Sequence, residues 1–337
     1  MKRYLLVITF LLMLLLTACK SKQEEVQVQP GGDNGEIGTF VEPPTPTKYT
    51  FTTDRHAVSA DAAEYLGSAA ADYNALVDAV CTGKSEMTVE SAENAHRAAV
   101  VFESSPYNAF ADVQVNGTSF NITYTGDGDV ETFDNAVKAI VEERVFAESN
   151  PVERAIGMYE AVAADFKVQE KDEADLYHAV LNKKGSEETL AEVLNYLFVQ
   201  NGIPSRMACG TTDGTDMNYW VIAELSGKLY HFDPVQENGQ ATLRGFAMSD
   251  SKYMELFDEG VYTTGAGEYA QQMKELCPDT TFDALFRGTT SYRLDAVNHY
   301  IYLSTDASDD YRVSVNTETL GAAGIGVGVA VILIKKK

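Results

Sequence analysis

Gly185-Ser186-Glu187-Glu188-Thr189-Leu190-Ala191-Glu192-Val193-Leu194-Asn195-Tyr196-Leu197-Phe198 leads, through Gly202-Ile203-Pro204, into two apolar runs, Tyr219 to Leu225 and Lys228 to Pro234. Its apolar residues at 190, 191, 194, 197 and 198 repeat at the spacing of a helix buried along one side. Ser186 supplies a cap, and Glu187 and Glu188 place negative charge in the first turn, where the helix dipole favours it. Ile203 to Cys209 reads as a strand, and the two later runs, joined at Ser226-Gly227, read as a hairpin. One helix leading into a hairpin, rather than repeating strand and helix units, predicts an α+β fold with helices packed on an antiparallel sheet.

This order resembles the transglutaminase-like superfamily, whose core is papain-like. Members show approximately Gly-x-Cys-x-x-Tyr-Ala, then Gly-Ile-Pro, His-x-Trp and Trp-Tyr-x-x-Asp-Pro. The matching stretches here are Gly185 to Ala191, Gly202-Ile203-Pro204, Asn218-Tyr219-Trp220 and Leu229-Tyr230-His231-Phe232-Asp233-Pro234. Pro151 to Lys184 resembles the upstream part of such a core, and Leu243 to Asp250 the loop after its Asp-Pro strand. The resemblance implies a thiol activated by the helix dipole and a histidine, with an aspartate orienting the imidazole. At those positions stand Glu187, Asn218 and Asp233. A carboxylate held charged at a helix N-terminus is a poor nucleophile and Asn218 has no proton to exchange, so the family's acyl transfer is expected to be lost. Asn218, Trp220 and Asp233 are then expected to line a vestigial cleft that binds peptide or cell-wall material. Two alternatives stand beside this: a structural scaffold with a vacant cleft, and a hydrolase using carboxylates such as Glu187 and Glu188 with Asp233.

Of other reactive residues, Cys209 reads as a small buried residue, and His231, two along from Asp233 on one strand face, as an exposed or structural strand histidine. His178 reads as a surface or packing residue, and His56, His96 and His299 show no ligand spacing. No metal or cofactor is expected.

Met1-Lys2-Arg3, the apolar run Leu5 to Leu16 and Leu16-Thr17-Ala18-Cys19 resemble a bacterial lipoprotein signal, with Cys19 as the lipidated residue. This implies an extracytoplasmic protein tethered to the cell membrane. The expected organisation is a signal peptide at 1–19, a disordered linker at 20–48 and an N-terminal α+β region at 49–148. A transglutaminase-like core follows at 149–285, then a β segment at 286–316 and an apolar tail at 317–337. Leu320 to Ile334 carries no charge and is followed by three lysines; its 15 residues as a helix span about 22 Å, short of a ~30 Å hydrocarbon core, yet fit a short membrane-inserted helix.

Within the N-terminal region, Asp61 to Cys81 and Glu93 to Glu103 read as helices, Ala111 to Tyr124 as a hairpin about Asn116-Gly117, and Val130 to Glu148 as a long amphipathic helix. Tyr253 to Cys277 reads as helical with loops. A net charge of −24 argues against nucleic acid as a partner and against flat adsorption on anionic lipid. Cys81, Cys209 and Cys277 give no disulfide framework.

Overall fold

The helix and hairpin expected between 185 and 235 both form, and they set the centre of an α+β structure. The computed structural model describes residues 45–337 except 127, 170–173, 212–215, 238, 240–241, 254–260, 287–288, 306–310, 319–331 and 336–337. The expected signal peptide, Cys19 and residues 20–44 of the linker lie outside these. Residues 44–337 make one compact unit.

The chain enters through α1 (Ala60–Leu66), capped by Ser59, and α2 (Ala70–Cys81). The single helix expected over 61–81 is interrupted at Gly67, where φ is +48° and a short 3₁₀ turn intervenes. β1 (Glu86–Thr88) and α3 (Ala92–Glu103) follow, then the expected hairpin, β2 (Ala111–Asn116) and β3 (Ser119–Tyr124). Asn116 pairs with Ser119, so the loop is Gly117-Thr118. Gly117 takes φ +61° at the first loop position, which a side chain adopts only with strain. α4 (Val130–Arg144) stops short of Glu148 because Val145 turns extended and Ala147 bonds back to the Thr47 carbonyl.

The core proper starts with α5 (Pro151–Asp165), whose capping box joins Asn150 and Glu153. β4 (Lys167–Val168) and β5 (Lys184–Gly185) pair in parallel around α6 (Leu176–Asn182). α7 (Glu187–Gln200) then packs on the antiparallel sheet of β6 (Ser205–Thr211), β7 (Met217–Leu225) and β8 (Lys228–Phe232). Ser226 and Gly227, at φ +56° and +77°, form the two-residue turn between β7 and β8. Two positive φ values in succession match the right-handed twist of the flanking strands.

After α8 (Asp250–Tyr253), the region read as helical departs from expectation. It adds β9 (Val261–Thr264) and β10 (Gln271–Lys274), giving the strand order β10-β9-β6-β7-β8. The run of β-branched and aromatic residues Val261-Tyr262-Thr263-Thr264 and the turn through Gly265, at φ +77°, favour a hairpin over a helix. α9 (Asp283–Phe286) leads to the expected β segment, a meander of β11 (Thr289–Asp295), β12 (Tyr300–Thr305) and β13 (Tyr311–Asn316). A fourth strand, β14 (Ile332–Lys335), pairs with β13, so these four residues of the apolar tail are strand rather than helix. Ile332 and Ile334 are β-branched, and β13 offers a free edge for them to satisfy. The rest of the expected tail helix, 319–331, lies outside the described residues. Among those described, no helix is long and apolar enough to cross a membrane.

One large core runs through the unit, joining Leu76, Phe102 and Phe133 of the N-terminal region to Ile156, Leu194, Val221 and Phe232. The region 49–148 therefore packs on the core segment. A second, smaller cluster covers the opposite sheet face: Ala208, Trp220, Ile222, Met248, Tyr253, Tyr262 and Cys277. The C-terminal meander is pinned to α5 through the buried Glu153, which accepts the Thr317 hydroxyl at 2.6 Å and faces His299 Nδ1 at 3.2 Å.

Candidate functional site

Strand alternation divides the residues of the hairpin, including those expected to form the site, between two sides of the sheet. Val221, Ala223, Tyr230 and Phe232 face α7, whereas Trp220, Ile222 and His231 face the second cluster. Asn218 shares the strand face of Trp220. It is half-buried, and its Nδ2 is buried with no hydrogen-bond partner among the described residues.

Asp233 follows β8 and is buried. Its Oδ1 accepts the backbone N–H groups of Val235 at 3.1 Å and Gln236 at 3.4 Å. Its Oδ2 accepts Gln236 Nε2 at 3.1 Å and the Tyr253 hydroxyl at 2.8 Å. Burial raises its pKa to about 6 in spite of these donors. The carboxylate thus caps its own turn and anchors α8. Glu187 is half-buried at the start of α7, behind the Ser186 cap. Its charge reaches Tyr253, whose phenol is held well above its usual range by burial first, then by Asp233 and then by Glu187. The structure therefore brings Glu187, Tyr253 and Asp233 into one neighbourhood.

Trp220 has 0% exposure and presents no surface to a ligand. Its ring lies 4.9 Å from Tyr253 and 5.7 Å from Tyr262, centroid to centroid. His231, also at 0% exposure, accepts the indole N–H on Nδ1 at 2.9 Å, and its Nε2 lies 3.0 Å from Asp250 Oδ1. Asp250 in turn accepts the Cys277 N–H at 2.5 Å and donates its own N–H to the Cys277 carbonyl at 2.7 Å. His231 is therefore a buried network residue, not an exposed one.

His231, Asp250 and Cys277 also bring one potential ligand atom each within 4.8 Å of one another, a juxtaposition that sequence spacing missed. Their hydrogen bonds do not fit a metal. The indole can only donate, so Nδ1 is an acceptor and the ring proton sits on Nε2, which leaves no free lone pair on the ring. Burial also pushes the Cys277 thiol far above its usual range.

Elsewhere, His56, His96 and His178 each sit near a carboxylate, Asp78 at 2.9 Å, Glu268 at 2.8 Å and Asp175 at 2.8 Å, in partly or fully exposed positions. Cys81, Cys209 and Cys277 are unpaired thiols. The Cys209 thiol is raised by burial and then by Glu188, which opposes thiolate formation.

What the sequence did not reveal is a cavity of about 370 Å³ on the α7 side of the sheet. Its floor is one stripe of α7, Glu188, Glu192, Asn195, Tyr196 and Val199, beside Tyr219 of β7. Its roof comes from the N-terminal region and from the β9 to β10 turn. Glu188 is exposed at one end, and Glu192 lies one helical turn further in. Burial, followed by Glu188 and Asp175, raises Glu192 to about 7. The stripe was legible as a helix face, but the roof comes from the distant segments 55–62, 101–107 and 263–270 and could not be read from spacing. Glu187, Asn218, Trp220 and Asp233 do not line this cavity.

The chain is similar in structure to a "putative cysteine protease" from Cytophaga hutchinsonii, with 14% sequence identity and a TM-score of 0.25. The match covers 47% of this chain and 62% of that one, so this chain spans less than two thirds of that protein's length. No family model matches the chain, and no curated protein does.

Proposed function

We propose that this chain is a membrane-tethered extracytoplasmic binding protein with a transglutaminase-like layout and no acyl-transfer chemistry at the family positions. The tether rests on the lipoprotein-like signal ending at Cys19. The loss of chemistry rests on Glu187 and Asn218 standing where a thiol and an imidazole are needed, and on Asp233 being spent on its own turn and on Tyr253.

The observation that carries a binding role is the 370 Å³ cavity, which is in the size range of small-molecule sites and is lined by apolar and aromatic residues with few charges. The ligand, a peptide side chain or a cell-wall fragment, enters there and not at Trp220. The carboxylate hydrolase reading is disfavoured because Glu188 opens on the cavity, and Asp233, although it shares a neighbourhood with Glu187, has both carboxylate oxygens engaged by its own turn and by Tyr253.

Ligand-observed NMR on the full chain with short peptides and muropeptide fragments tests this, alongside Val199→Trp, which fills the cavity. Binding that disappears in Val199→Trp supports the proposal. Binding untouched by that change places the ligand elsewhere, and no binding across both sets favours a scaffold with a vacant cavity.

A further inference from the structure

We infer that the cavity beside α7 takes a small organic cation, an ammonium group on an apolar or aromatic body, with Glu192 as its counter-ion. This rests on reading the cavity as a ligand site and adds the chemistry of the ligand.

The charges of the cavity wall are accounted for one by one. Arg55 is bound to Asp134 Oδ2 through Nε at 2.9 Å and Nη2 at 2.7 Å, so it is not available to a ligand. Asp61 accepts the Ser59 hydroxyl and the Ala62 N–H at the start of α1. Glu188 is exposed at the rim and hydrogen-bonded to the Tyr219 side chain. Glu192 is different: it is half-buried on the inner stripe of α7, opens on the cavity, and has no hydrogen-bond or ion-pair partner among the described residues. A carboxylate drawn half into the fold with no internal donor is costly to ionise, and what would satisfy it is a cation delivered through the cavity.

The rest of the lining selects which cation. Tyr73, Tyr107, Tyr196, Tyr219 and Tyr269 offer ring surface, and Met207 a polarisable one, suited to the stem of an amine and to cation–π contact. A divalent metal fits less well. Among the described residues neither Glu188 nor Glu192 belongs to a group of three converging ligands.

The groups facing Glu192 are Glu188 on its own helix, Asp175 at the start of α6, Tyr219 on β7 and Tyr269 after β9, with Cys209 on β6 and the paired Arg55 further along the wall. Burial places the Glu192 pKa at about 7, while it moves Tyr219, Tyr269 and Cys209 upward from values already above that range. Cation binding therefore strengthens as Glu192 ionises between pH 6 and pH 8.

The test is calorimetric titration of the full chain with 4-methylbenzylamine, 4-methylbenzyl alcohol and 4-methylbenzoate. At pH 8 the amine is expected to bind at least about tenfold more tightly than the alcohol, with the benzoate weakest. Lowering the pH to 6 weakens the amine by about tenfold and leaves the alcohol unchanged. Glu192→Gln, nearly isosteric, brings the amine down to the alcohol. Glu188→Gln, at the rim, costs about threefold and gives a second reading if the first variant does not fold. Equal binding of amine and alcohol, or an amine affinity indifferent to both variants, overturns the cation assignment while leaving the cavity a ligand site. Failure of all three probes to bind overturns that reading as well.

Discussion

Trp220 donates its indole N–H to Nδ1 of His231 at 2.9 Å, and both side chains are fully buried. That bond settles the state of the imidazole. With Nδ1 accepting, the proton is on Nε2 and points at Asp250 Oδ1, 3.0 Å away. Burial lowers the pKa of His231, against the opposing pull of Asp250, so the ring stays neutral. His231, two residues before Asp233, is thus committed to structure at both nitrogens and is not free to act as a general base.

Replacing Trp220 by Phe keeps most of the apolar contact with Tyr253 and Tyr262 but leaves Nδ1 of His231 buried without a donor. A loss of about 2 kcal/mol is expected in urea unfolding near pH 7. The further removal of the acceptor in His231→Phe should cost less in the Trp220→Phe background than in the natural chain, a coupling that a double-mutant cycle reads directly.

Gly245 sits where a Cβ would lie 2.2 Å from the Asp233 carbonyl oxygen and 2.5 Å from the Tyr159 hydroxyl. The Asp233 N–H donates to the Gly245 carbonyl at 2.8 Å, so the two backbones cannot separate without loss. Gly245→Ala is expected to cost about 3 kcal/mol or more and to lower the melting temperature by more than 5 °C, roughly, in a chain of this size. A neutral result would mean that the loop after β8 does not close on the sheet as described.

Glu192 and Asp233 have folded-state pKa values raised to about 7 and about 6, in both cases chiefly by burial. A carboxyl whose folded pKa lies above its unfolded value binds its proton more tightly when folded. Its contribution is therefore fully present below the unfolded pKa and is lost as pH rises to the folded one. Stability should fall between about pH 4 and pH 7, opposite to a salt-bridged carboxylate. Glu192→Gln removes part of that slope and should gain on the order of 1–2 kcal/mol at pH 8, with little change at pH 4. Chemical unfolding of both proteins at the two pH values checks it.

How much of this was legible in the sequence depends on the range of the interactions involved. α7 and the β7–β8 hairpin were readable because their periodicity and the Ser226-Gly227 turn are local. The meander of β11 to β13 was readable for the same reason. Tyr253 to Cys277 was misread because a run of tyrosines, glycines and polar residues carries a weak period, and β9 is held as a strand both by β10 across the Gly265 turn and by β6 across more than fifty residues. Four residues of the tail went to β14 because an open edge on β13 outweighed a marginal helix. At the site, the absence of a thiol at 187 and of an imidazole at 218 could be read directly. Burial of Trp220, the His231 network and the cavity roof could not, since each needs side chains from distant segments: Tyr253 and Tyr262 for the first, Asp250 and Cys277 for the second, residues 55–62 and 104–107 for the third.

The measurement that bears most directly on the central claim is an acyl-transfer assay of the full chain. Glutamine peptides and a fluorescent primary amine would be incubated with the natural protein, with Glu187→Gln and with Asp233→Asn. Without a thiol or an imidazole at the family positions, none of the three should yield product above the protein-free blank. Product formed by the natural chain and lost in Glu187→Gln would contradict the account and make Glu187 a working catalytic group.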